Sequence, residues 1–201
     1  MKKKKKKELT KEYPSFVVEK ECYPETIFNG IDARYSLTVT INNCNKNLLT
    51  YIMMNPSRAD MEQSDTTVNK VLCFAADKAN KEYKIGKVCI LNLFGLYEPK
   101  SPSLQMLLTN VMKNQEKYEM YYKKNRESIE KEISISQYVV LAWGDVPSGM
   151  SASVHNKEVS YIYDCLRQQE KLESVYILRS ANKNHKSVLT CAKRPRHPNR
   201  I

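Results

Sequence analysis

The chain has 201 residues, 41% hydrophobic and 27% charged, which suits one full-sized core and excludes a disordered polyelectrolyte. Its net charge is +11, a balance that favours a polyanionic partner. No apolar run approaches the ~18 residues of a membrane span, and the lysines at 2 to 7 lead into ELTKEYPSF, not the apolar core of a signal peptide. A cytoplasmic protein with no membrane partner is expected.

The charge is concentrated at the ends. Lys2 to Lys7 carry six of the eleven, Lys193, Arg194, Arg196 and Arg200 carry four, and the remainder of the chain is close to neutral. Six cysteines form no CxxC pair, and His155, His185 and His197 are far apart, so neither a disulfide framework nor a zinc site is expected. Cys73, Cys89 and Cys165 lie in apolar periodic stretches, as buried thiols do.

In chain order, residues 1–30 read as a basic tail and irregular lead-in, and 31–201 as a single α/β domain. Arg34 to Ile41 alternates and is rich in β-branched residues, predicting a strand. A second strand, Leu48 to Met54, runs directly into Asn55-Pro56-Ser57. Pro56 fixes its own φ and holds Asn55 extended, although by itself this tripeptide is an ordinary turn. Ser64 or Asp65 can cap a helix carrying Val68, Val71, Leu72, Ala75 and Ala79 at helical spacing. Lys87 to Leu93 is a near-continuous apolar run, predicting a strand covered on both faces.

Leu104 to Ile135 predicts two helices, with a centre that is very polar for a core element. Gln137 to Trp143 predicts another strand, Val154 to Gln169 an amphipathic helix, and Ser174 to Leu178 the last strand. The alternation predicts a three-layer α/β/α sandwich with a mostly parallel central sheet of four to five strands.

Strands of such a sheet end on one edge, where ligands bind. Asn55 follows one strand, Asn92 ends CILN, Gly144 and Asp145 follow LAW, and His197-Pro198 lies in the basic RPRHPNRI. No GxGxxG or GxxxxGK[ST] occurs, which argues against a dinucleotide or P-loop site. An asparagine in an apolar strand needs partners for its amide, either neighbouring backbone or the hydrogen-bonding edge of a ligand such as a pyrimidine.

The order of NPS, CILN, AWG and HP resembles the uracil-DNA glycosylase superfamily. Asn55-Pro56 matches the Asn-Pro or Asp-Pro core of its first motif, Leu91-Asn92 its LLLN strand, residues 139–144 its VVFLLWG strand, and His197-Pro198 part of its HPSP loop. MMNPSRAD, DTTVNKVLCFA, NLFGLYEP, AWG and RPRHP together resemble the bacterial domain-of-unknown-function family 1643, over about Arg34 to Ile201.

The resemblance implies a monofunctional DNA glycosylase that hydrolyses the N-glycosidic bond of a damaged, mismatched or modified base, including bases of phage type, in repair or antiviral defence. Such an enzyme extrudes its target nucleotide, offsetting a few kcal/mol of stacking with phosphate contacts. Asn55 would hold the attacking water, Asn92 would read the base, and His197 would lie at the base carbonyl or a phosphate. Pro56, Ser57 and Gly144 would complete the base site, with Phe94 or Tyr97 as the stacking aromatic. Arg58, Lys193, Arg194, Arg196 and Arg200 would contact DNA. Members with the strongest activity carry Asp where Asn55 stands, and an amide is no base. Slow or specialised chemistry is therefore expected, with Asp60, Asp65 or Asp145 as the candidate carboxylate. No metal, cofactor or obligate protein partner is expected; the partner is duplex or single-stranded DNA, and the chain a monomer. Two other readings stay open: a non-catalytic nucleic-acid-binding module on the same fold, and a hydrolase of free nucleosides or nucleotides.

Overall fold

The computed structural model describes residues 10–98, 103–179 and 187–200. The Lys2 to Lys7 run lies outside the described residues. Six strands form one mixed sheet: β1 (Val17–Phe28), β2 (Ile31–Ile41), β3 (Asn47–Met53), β4 (Ile85–Asn92), β5 (Tyr138–Leu141) and β6 (Val175–Ile177), in the order β1-β2-β4-β3-β5-β6. β4, β3, β5 and β6 run parallel, and the β1–β2 hairpin adds antiparallel to β4. Five helices accompany them: α1 (Thr66–Phe74), α2 (Asn80–Tyr83), α3 (Leu104–Met112), α4 (Gln115–Ile135) and α5 (Ala152–Gln168).

The sixth strand corrects the sequence reading of residues 1–30 as irregular. VVEKECYPETIF carries five polar or charged residues and a proline, the pattern of a loop. At a sheet edge those side chains face water, and Pro24 needs no ladder donor on its outer side. The register with β2 shifts between Cys22 and Pro24, so the proline is taken up at a bulge. Residues 10–16 are not idle either. Lys11 and Ser64 exchange backbone hydrogen bonds of 2.8 and 2.7 Å, and the Tyr13 hydroxyl donates to the Asp60 carbonyl at 2.5 Å. The lead-in thus straps the loop that follows β3.

Alternation in β3 sorts the core into two layers. Leu49, Tyr51 and Met53 face α1 and α2, with Val68, Val71, Leu72, Ala75 and Ala79 opposite. Leu48, Ile52 and Met54 face α3, α4 and α5, meeting Leu104, Leu108, Ile129, Ile162 and Leu166. Burial of each such aliphatic side chain contributes roughly 1.5–3 kcal/mol, and both faces of the sheet receive it. Asp65, of the two candidate caps, closes α1: its carboxylate accepts from the Thr67 and Val68 N–H groups. A single π turn, Ala75–Ala79, then joins α1 to α2. The polar centre of α4 is resolved by one narrow stripe, Tyr121, Asn125, Ile129 and Ile133, which is buried while the other faces stay wet. All six cysteines are free thiols; Cys89 and Cys165 are buried, whereas Cys73 is exposed on α1, contrary to its reading as a core thiol. Among the described residues no helix is long and apolar enough to cross a membrane.

Candidate functional site

Numbered along the chain, the four parallel strands lie in the order second, first, third, fourth. β3 is flanked by β4 on one side and β5 on the other, so the chain reverses direction across the sheet at β3–β5, the place where open α/β sheets form a ligand crevice. Both neighbours stay paired to β3 to its very end. The Leu93 and Phe94 N–H groups donate to the Met53 and Met54 carbonyls at 2.8 and 3.0 Å, and the Ala142 N–H donates to Ile52 at 2.8 Å. Asn55, Asn92 and Gly144 are thereby held at one edge.

His197 joins them from the far end of the chain. The Gly144 N–H donates to the Pro195 carbonyl at 2.9 Å, and a β-carbon on Gly144 would lie 3.5 Å from that of His197. Gly144 has φ +78°, a conformation that favours glycine at this close approach. Asn199 anchors the same loop to α1 by donating from Nδ2 to the Thr67 hydroxyl at 2.6 Å, and its N–H donates to the His197 Nδ1 at 3.2 Å.

Asn92 is the outstanding residue of the edge. It is 1% exposed, and neither its Nδ2 nor its Oδ1 has a hydrogen-bond partner among the described residues. Leu91 and Leu93 on either side of it belong to the α3–α5 layer, so Asn92 faces the α1 layer with Val88 and Ile90. Leaving an amide unsatisfied costs about 1–3 kcal/mol, and native interiors tolerate such groups mainly where a ligand or water meets them. The backbone partners that would have made this a plain structural asparagine are taken up by the β-ladder.

The other sequence candidates divide. The Asn55 Nδ2 donates to the Glu98 carbonyl, tying the β3 loop to the segment after β4. The Asp60 carboxylate accepts from the Glu62 and Gln63 N–H groups, both at 2.8 Å. Asp145 accepts from the Thr190 hydroxyl at 2.5 Å, and Asp65 is the α1 cap. Each candidate carboxylate thus has a structural engagement. Pro56 is buried and Ser57 half-buried in the loop. Phe94 is 3% exposed inside the α3–α5 core, on the other side of the sheet from Asn92; Tyr97, the other aromatic candidate, is half-buried with its hydroxyl toward the Ala59 carbonyl at 3.5 Å. Burial pushes the Tyr97 phenol up to about 12, so it is a neutral donor at physiological pH.

Of the basic residues, Arg58 and Lys193 are exposed, and the Arg196 Nε donates to the Ser187 carbonyl at 3.3 Å. The Arg200 backbone closes a short 3₁₀ turn, and its side chain lies outside the described residues. Arg194 is spent on α5: its guanidinium meets the His155 Nδ1 at 2.8 Å and the Asn156 Oδ1 at 3.1 Å. Guanidinium is only a donor, so His155 accepts at Nδ1 and is neutral. Burial, with a smaller push from Arg194, lowers the pKa of the His155 imidazole from its ordinary value. A histidine that resists protonation in the fold loses stability for the protein as pH falls below its usual 6.5. The melting temperature is therefore expected to drop on acidification below about 6.5, and His155→Gln to flatten that slope; thermal melts across the range measure both.

Two residues escaped the sequence reading. Arg34 on β2 is 1% exposed, and Tyr51 on β3 is fully buried with no partner for its hydroxyl among the described residues. An arginine opening an alternating strand reads as a solvated end, and a tyrosine in an apolar run reads as core. Neither carries a sequence signal of its burial with unsatisfied polar atoms. Among the described residues no three His, Cys, Asp or Glu side chains gather to hold a metal ion.

No curated protein and no solved structure matches the chain significantly. A family model described as "Protein of unknown function (DUF1643)" matches residues 34–199, from the buried Arg34 through the loop that carries His197. With five-sixths of its length under that match, the chain belongs to the DUF1643 family.

Proposed function

We propose that this chain is a DNA glycosylase on an α/β sandwich of uracil-DNA glycosylase type, acting on a damaged, mismatched or modified base. The observation that carries the reading is the buried, unpartnered carboxamide of Asn92 beside the β3–β5 crossover. One donor group and one acceptor side by side are what the edge of a nucleobase requires. Support comes also from the company it keeps: Asn55 ends the adjacent strand, and His197 lies against Gly144 in a loop rich in cations.

In this reading an extruded nucleotide enters at the strand ends, and Asn92 pairs with the base edge. The glycosidic bond breaks toward an oxocarbenium-like sugar, which water captures. Asn55 orients that water and does not deprotonate it, and Asp60 and Asp145 are engaged elsewhere. Turnover is therefore slow compared with an enzyme that carries an aspartate at this position. The Lys193 to Arg200 loop contacts the phosphates.

The test is a panel of oligonucleotides carrying uracil, mismatched thymine and modified cytosines, incubated with the protein and cleaved with alkali at any abasic site. Strand scission on at least one member is expected; an intact panel defeats the reading. The engagement of every candidate carboxylate favours one alternative, a non-catalytic module that binds nucleic acid through the same edge. That alternative predicts salt-dependent binding with no abasic product.

A further inference from the structure

Arg34 is a permanently charged group that is almost completely buried. Its Nη1 donates to the Ala59 carbonyl at 2.5 Å, and its guanidinium carbon lies 5.8 Å from the centre of the Tyr97 ring. Its Nε has no partner, and no carboxylate lies within ion-pair distance of it among the described residues. Asp60 acts on the same neighbours as Arg34 does, Tyr13, Cys22 and Tyr97, without an ion pair to Arg34 among the described residues. A buried cation without a contacting anion is destabilising, and its Nε is left open to an acceptor from a ligand.

Its position narrows which ligand. Leu37 of β2 lies opposite Ile90 of β4, and the Arg34 N–H reaches the Gly95 carbonyl at 2.7 Å, so Arg34 and Asn92 stand at the same end of adjacent strands. Both face the α1 layer, since Ala33 and Tyr35 flank Arg34 in the α3–α5 core just as Leu91 and Leu93 flank Asn92. Two unsatisfied side chains thus share one face and one edge: Asn92 offers a donor and an acceptor, and Arg34 offers donors alone. A ligand completing both carries a donor–acceptor pair and, beside it, a second electron-rich oxygen.

We propose that Arg34 is a further binding residue of this site, taking the second ring carbonyl of a dioxo heterocycle whose first amide edge pairs with Asn92. The inference rests on the reading of Asn92 as a base-binding residue, and it adds specificity: rings with two carbonyls are preferred over rings with one. A single Nε–H suits one oxygen and not a phosphate, which needs several donors.

The test is equilibrium binding of free heterocycles to the full chain, in two matched pairs that differ by one carbonyl: xanthine against hypoxanthine, and uracil against pyrimidin-4-one. In at least one pair the dioxo ring is expected to bind about 10- to 100-fold more tightly, as a charge-assisted hydrogen bond provides. Arg34→Met should bring that ratio close to one; it also leaves the Ala59 carbonyl without its Nη1 donor and so lowers the melting temperature, which makes the ratio the readout that a purely structural arginine would not move. Should Arg34→Met not fold, Arg34→Lys, which keeps the charge and loses Nε, should also reduce the ratio. Equal affinities within both pairs, or no binding of either, overturn the proposal, as does a ratio that survives either variant. The outcomes separate from those of the glycosylase reading. Arg34-dependent binding with no abasic product leaves the site standing and removes the enzyme, while abasic product from an Arg34-independent protein does the reverse.

Discussion

Asn92→Leu is expected to raise the melting temperature while sharply lowering activity on any oligonucleotide the wild type cleaves. The substitution keeps the number and branching of the heavy atoms and removes two buried polar atoms that have no partners among the described residues. An unsatisfied group of this kind costs about 1–3 kcal/mol, and each kcal/mol shifts the melting point of a chain this size by about 2–4 °C. A gain of roughly 2–6 °C is therefore expected, on the low side of the full range because the leucine must still fit against Met53. Activity moves the other way, since loss of one preorganised hydrogen-bonding group lowers turnover by about 10²- to 10³-fold. Opposite signs in two assays mark a side chain kept for a ligand at the expense of the fold. Thermal melts and abasic-site yields on the same preparation measure both. A fall in melting temperature would show that Asn92 holds the structure together and would remove the observation on which the functional proposal stands.

Gly86→Ala is expected to be the most destabilising single methyl in the sheet. Gly86 is buried in β4, and a β-carbon there would lie 1.9 Å from the Asn45 carbonyl oxygen and 2.5 Å from its carbon. Those are backbone atoms of the β2–β3 connection, pinned by Asn43 donating to the Ile85 carbonyl at 2.9 Å and Asn47 donating to the Tyr83 carbonyl at 2.7 Å. The connection cannot withdraw without releasing these bonds and the register of β3 with β4. Overpacking against backbone of this kind costs about 3 kcal/mol or more, a fall of about 6–12 °C. Gly30→Ala is the control: the added carbon meets nothing within 4 Å, but φ is +72°. Conformational strain alone there costs about 1 kcal/mol. Chemical denaturation of the two variants should separate them by at least twofold in free energy, and a smaller gap would show that the Asn45 turn yields.

The elements of the parallel core were legible in the sequence because each buried strand and helix writes its own period. KVCILNL, QYVVLAW and SVYIL became β4, β5 and β6 within a residue or two, and the stripe from Val68 to Ala79 became the buried face of α1 and the π turn. β1 was not legible, because an edge strand has one wet side and a free ladder, which admit the polar residues and proline that elsewhere mark loops. The site was legible in part for the same reason. Asn55, Asn92 and Gly144 punctuate apolar runs, and a polar residue in such a run is visible as a break. Whether its amide is satisfied is a property of neighbours distant in the chain.

The sequence by itself therefore determined the alternation of strands and helices, the separation of charge into two ends, and the residues that stand where strands stop. Only the tertiary structure decided which of those residues carry an unmet demand. Asp60, Asp145 and Arg194 are answered by local turns, Thr190 and α5, and Asp65 by a helix cap through one carboxylate oxygen, the other having no partner among the described residues. Arg34 Nε and the Asn92 carboxamide are not: both lie buried without a partner among the described residues. Local patterns report how a side chain is spaced; partnership depends on contacts between segments far apart in sequence, and those exist only once the sheet has brought β2, β3 and β4 side by side.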